Sequence, residues 1–206
     1  MTGRVRLRAG LTAAAIAVLI VVALVINRTT TRHAAASPLR ASLIAQAQLP
    51  DCPTTTGAGA VTNGLPSLTL PCLANGPKVE LAKLRGPLVV NIWAGTCTEC
   101  RVEAPQYAAF AAAARGKVAV LGVVDGDYPA ETWDDALDAS RGLHLGFPSV
   151  WDAHGSLVQA VRSIGIPVSL FIAPDGTIAG RHLGIVSPGE LPTFVKRYLN
   201  VDVQVP

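Results

Sequence analysis

A short run rich in β-branched residues, Pro87–Trp93 (PLVVNIW), is followed three residues later by Cys97-Thr98-Glu99-Cys100, which opens an Ala-rich stretch reaching Arg115. The run suits a buried strand. The Ala-rich stretch, with Val102, Tyr107 and Phe110, reads as a helix that Pro105 should kink. A strand end, a cysteine pair and a helix start therefore fall at one place, and the rest of the fold must be built around that junction.

The remaining pattern continues the alternation. Lys117–Val124 (KVAVLGVV) reads as a second buried strand, and Pro129 opens a helix through Ala139 with Glu131, Asp134 and Asp135 near its positive end. Ser149–Trp151 is a short strand and His154–Ser163 a helix. Val168–Ala173 and Thr177–His182 flank the turn signal Pro174-Asp175-Gly176 and form a hairpin. Gly189–Leu199 closes the chain as a helix, with Pro192 tolerated in its first turn. The order β-α-β-α-β-α-β-β-α implies an α/β fold with a mixed central sheet flanked by helices. Residues 53–64 are loop-like, and no internal repeat is evident.

Half of the residues are apolar and 15% are charged, which excludes a disordered chain. The charge is unevenly placed. Arg4, Arg6, Arg8, Arg28, Arg32 and Arg40 all precede Asp51, the first acid in the chain. The net charge of +3 thus belongs to an N-terminal stub on a mildly acidic body, and gives no reason to expect nucleic acid as a partner. Ala9–Ile26 carries no charge over 18 residues and reads as a single transmembrane helix. The three arginines before it hold the N-terminus in the cytoplasm and send the rest to the extracytoplasmic side. Ala34–Ala36 offers small residues for a signal peptidase, but the apolar run is long and ends eight residues earlier, so it is read as an uncleaved anchor. The expected organisation is a cytoplasmic stub (1–8), a membrane anchor (9–26), a tether (27–50) and one domain (51–206).

CxxC admits three chemistries. A zinc site needs a second close pair or two histidines, yet Cys52 and Cys72 lie 20 apart and His144, His154 and His182 lack ligand spacing. A purely structural disulfide in so small a loop is reactive. The third reading is a redox dithiol. Cys97, at a helix N-terminus, has its thiolate stabilised by free N–H groups and the helix dipole, and Cys100 lies one turn on. Cys97 attacks a partner disulfide, and Cys100 resolves the mixed disulfide. No cofactor is called for.

NIWAGTCTECRVEAP resembles the active-site stretch of the TlpA/ResA-like (CcsX-type) family of membrane-tethered, thioredoxin-fold thiol–disulfide oxidoreductases. Gly165-Ile166-Pro167 with VSLFIAPDGTI, Leu81–Gly86, and Glu103 followed by Pro105 extend the resemblance from about Pro66 to the end. It implies a thioredoxin-like fold, Cys97 as nucleophile, Cys100 as resolving thiol, Pro167 as a substrate-side cis proline and Glu103 as a buried acid that tunes the dithiol. It further implies exported protein disulfides as substrates and a membrane electron donor as partner. The members most alike are actinobacterial and linked to cytochrome c maturation, which suggests apocytochrome c as a substrate. Two positions depart from the family. Thr96 replaces a usual Trp and Glu99 a usual Pro. Glu99 places a carboxylate between the sulfurs, raising the Cys97 pKa and favouring a reductant.

Cys52 and Cys72 are expected to form a structural disulfide in an exported domain; a second redox pair or free thiols are the alternatives. Trp93, Trp133 and Trp151 read as core. Asp125, Asp127, Asp134, Asp135 and Asp138 lack calcium-loop spacing and read as a solvated face. The expected function is reduction of exported disulfides. A disulfide-forming oxidase is the main alternative, and a Cu(I) metallochaperone using the two thiolates is weaker, since Met1 is the single Met. A peroxidase of the peroxiredoxin kind needs Pro-x3-Thr-x2-Cys, which residues 90–97 (VNIWAGTC) lack.

Overall fold

The computed structural model describes residues 38–55 and 59–205. The basic stub, Ala9–Ile26 and the start of the tether lie outside the described residues. Among the described residues, no helix is long and apolar enough to cross a membrane.

The sheet is built on β3 (Leu88–Trp93), whose six residues are all buried. It pairs in parallel with β4 (Ala119–Asp125), and β4 in parallel with β5 (Ser149–Asp152). On its other side β3 pairs antiparallel with β6 (Val168–Ile172), which forms the hairpin with β7 (Ile178–Leu183). The order is β5-β4-β3-β6-β7, a mixed sheet. At the hairpin tip, Gly176 takes φ 92° and Asp175 Oδ1 accepts from the Thr177 N–H at 2.9 Å.

Strand alternation feeds two cores. Val89 and Trp93 join Tyr107 and Phe110 of α2 (Thr98–Ala113), Leu137 of α3 (Trp133–Gly142) and Val195 of α5 (Glu190–Leu199). Leu88, Val90 and Ile92 face the other way, against Leu157 of α4 (Ser156–Ala160) and the small hairpin of β1 (Thr69–Leu70) and β2 (Val79–Glu80). Helices thus cover both faces. Each fully buried side chain of the size of Phe110 or Leu157 contributes roughly 1.5–3 kcal/mol.

Within the stretch expected as a tether, 27–50, Pro38–Ala47 forms α1, and two expected helix boundaries move. Leu43, Ile44, Ala47 and Leu49 pack into the larger core, and Gln48 at φ 51° ends the helix. The compact unit that carries the sheet accordingly spans Ser42–Pro206, starting before Asp51, with Met1–Ala41 a separate unit. The helix expected from Pro129 begins only at Trp133, since Thr132 is its N-cap and Ala130 sits at φ 59°. Glu131 therefore lies ahead of the helix. The helix expected over His154–Ser163 shrinks to α4, whose start is fixed by Gly155 at φ 57° and by Asp152 Oδ2 accepting from the Leu157 N–H at 2.7 Å.

Pro71–Leu73 docks on the free edge of β5. The Leu73 N–H donates to Ser149 O at 2.8 Å and the Trp151 N–H to Pro71 O at 2.9 Å. Cys72, in the middle of this segment, is disulfide-bonded to Cys52, with Cα atoms 5.8 Å apart.

Candidate functional site

β3 delivers the chain through Ala94-Gly95-Thr96 to Cys97, the N-cap of α2. Cys97 and Cys100 form a disulfide with Cα atoms 5.3 Å apart. Cys97 Sγ also accepts a hydrogen bond from the Cys100 N–H at 3.1 Å. A sulfur placed this way on an unpaired N–H of the first helical turn is favoured as a thiolate once the disulfide opens. Both cysteines are buried, while Thr96, Thr98 and Glu99 are exposed around them.

Glu103, on α2 one turn beyond Cys100, is 1% exposed. Its Oε1 accepts from Asn91 Nδ2 of β3 at 2.8 Å and its Oε2 from the Val186 N–H at 2.9 Å. Burial pushes its pKa up to about 7, against the opposing pull of these two bonds. Tyr107, a further turn along, hydrogen-bonds Ser169 of β6. Burial and the nearby Glu103 charge push the Tyr107 pKa up. Asn91, Glu103, Tyr107 and Ser169 thus form a polar strip inside an otherwise apolar core.

The Ile166–Pro167 peptide is cis. Register pairs Ile92 with Val168, so Pro167 lies at the end of the sheet where β3 leads to Cys97. Its carbonyl accepts from the Gly184 N–H at 3.0 Å, which ties it to the loop carrying Val186.

Cys97, Cys100, Glu103 and Pro167 are therefore gathered at one end of the sheet. Cys52 and Cys72 lie in the second core and outside this gathering. Among the described residues no group of His, Cys, Asp and Glu is arranged to hold a metal ion. Asn91, Tyr107, Ser169 and the Val186 amide were not singled out from sequence. The available signal was a lone polar residue in each of two apolar strands, Asn91 in LVVNIW and Ser169 in VSLFI.

A family model described as Redoxin matches residues 60–197. The thiol:disulfide interchange protein DsbE of Pseudomonas fluorescens biotype C is 31% identical over 126 residues, covering 59% of this chain. The chain spans 65% of the length of that relative. A putative thioredoxin from Neisseria meningitidis superposes with a TM-score of 0.57 at 25% identity, over 67% of this chain and 91% of that one. A secreted Mycobacterium tuberculosis disulfide oxidoreductase homologous to E. coli DsbE superposes with a TM-score of 0.56 at 23% identity, over 64% and 96%. These likenesses show a thioredoxin-like fold.

Proposed function

The chain belongs to the Redoxin family, and from that premise we propose that it is an extracytoplasmic thiol–disulfide oxidoreductase that reduces disulfides in exported proteins. The observation that carries this is the Cys97–Cys100 disulfide at the N-terminus of α2, with the Cys100 N–H on Cys97 Sγ. In the reduced protein, the Cys97 thiolate attacks one sulfur of a partner disulfide, and the other partner sulfur leaves as a thiolate. Cys100 then loses its proton and attacks Cys97 Sγ. The partner departs as a dithiol, two electrons richer, and Cys97–Cys100 is left oxidised. Glu103, with a pKa of about 7 and one turn from Cys100, is suited to take up that proton near neutral pH.

The run Ala9–Ile26 and the arginines before it support a single-pass anchor with the domain outside the cytoplasm. Turnover then needs a membrane electron donor to re-reduce the pair. Apocytochrome c is the substrate favoured by the sequence resemblance. Replacing Cys100 by Ser in cells and identifying what stays covalently bound to Cys97 tests the reading. Trapped apocytochromes support it; diverse secreted proteins favour an oxidase; an empty Cys97 refutes both. A reduction potential more oxidising than about −150 mV refutes the reductive direction.

A further inference from the structure

Two of the three residues before Cys97, Gly95 and Thr96, are fastened from outside their own element. Glu131, in the connection between β4 and α3, is 8% exposed and directs its carboxylate at them. Its Oε1 accepts from the Gly95 N–H at 2.9 Å, and its Oε2 from the Thr96 N–H and the Thr96 hydroxyl, each at 2.8 Å. The Thr96 Oγ1 also lies 3.2 Å from Pro129 O. The Gly95 carbonyl is held by Arg101 Nη1 at 3.1 Å. Gly95 itself permits this fit, because a Cβ there would come within 2.9 Å of Asp135 O and 3.1 Å of Glu131 Oε1. The turn that aims Glu131 has the Glu131 N–H on Tyr128 O at 3.0 Å and Ala130 in the left-handed region. A carboxylate on two successive N–H groups and a hydroxyl is a built site with its donors already supplied by this chain.

We infer that Glu131 is a positioning residue for the dithiol, fixing the Gly95-Thr96 segment while its charge holds back ionisation of Cys97. The inference rests on Cys97–Cys100 being the working pair and deepens that reading toward a reductant. The physical reason is the sign of the charge. A carboxylate bonded to the peptide next to Cys97 disfavours a second negative charge there, opposing the stabilisation from the start of α2. The other charged groups on the elements meeting at this loop are Glu99, Arg101 and buried Glu103 of α2, Asp134, Asp135, Asp138 and Arg141 of α3, and Asp125 at the end of β4 with Asp127 beyond it; the Glu131 charge is among the causes that push the Asp125 pKa up, after its burial. Glu131 and Arg101 both bond the Gly95-Thr96 backbone.

The test is the pH profile of alkylation of Cys97 in the full chain, with Cys100→Ser so that one site thiol reports. Glu131→Gln should lower the Cys97 pKa by about one unit, giving about tenfold more thiolate at pH values below both pKa values. An unchanged or raised pKa overturns the inference. Thr96→Val keeps the charge and both backbone bonds while removing one donor, so the pKa should stay at or above that of the parent. A fall in Thr96→Val assigns the effect to loop geometry and equally overturns the inference, whether or not Glu131→Gln folds. The titration reads the thiol itself. If no partner is ever trapped on Cys97 but the pKa moves as stated, the functional reading falls and this one stands.

Discussion

Glu103 should make the protein less stable as pH rises. Its carboxyl has a pKa of about 7 in the fold against 4.5 as a free side chain. Between these values the folded state binds the proton that the unfolded state has released, so stability falls with increasing pH. The contribution is fully present below about pH 4.5 and lost as pH passes through about 7, with a total of about 3 kcal/mol. Burial is the main cause; the bonds from Asn91 and Val186 already offset part of it. Glu103→Gln removes the titration and keeps the shape. Urea unfolding of the oxidised parent and variant at half-unit steps from pH 4.5 to 8 isolates the effect, because every other group cancels in the difference. The parent should lose about 1.4 kcal/mol per pH unit relative to Glu103→Gln across the middle of this range. A difference that is flat, or that turns in the parent's favour as pH rises, refutes the reasoning.

Two stability predictions accompany it. Replacing Cys52 and Cys72 together by Ser should cost about 3 kcal/mol on the chain-entropy account of a loop this size, leaving Cys97–Cys100 intact; denaturant midpoints with mass mapping check this. Gly86→Ala should cost more than about 3 kcal/mol, because its Cβ would fall 1.7 Å from the Ile172 carbonyl oxygen; a thermal midpoint close to the parent's would contradict the tight packing of this turn on β6.

What could be read ahead of the structure was local. Pro87–Trp93 running into Cys97 carries its strand, its N-cap and its helix within one stretch of chain. The hairpin at Pro174–Gly176 is equally self-contained. Elements whose form depends on distant partners were not legible. Leu43, Ile44 and Ala47 are too few to mark α1 in a stretch rich in Ala, Ser and Gln, and they become an apolar face only against the core they complete. Glu131 looked like an ordinary acid in a first helical turn. Its role depends on Ala130 entering the left-handed region, which turns the side chain back toward Gly95 and Thr96. The Glu103 network likewise joins β3, α2 and the loop at Val186, three segments that no periodicity connects.

The Pro71–Leu73 segment on β5 has a consequence for how the molecule meets others. An exposed strand edge is a template for any extended chain, and this segment already occupies the Ser149 C=O and the Trp151 N–H of β5. At the opposite edge, the backbone bridge joins Gly64 to Thr177, just before β7 begins, and the Ile178 N–H donates to Asn63 O. The rest of β7 runs to Leu183, beside Gly184 and its bond to Pro167. Among the described residues the β5 edge is thus already covered, and the Cys52–Cys72 bond anchors the segment that covers it.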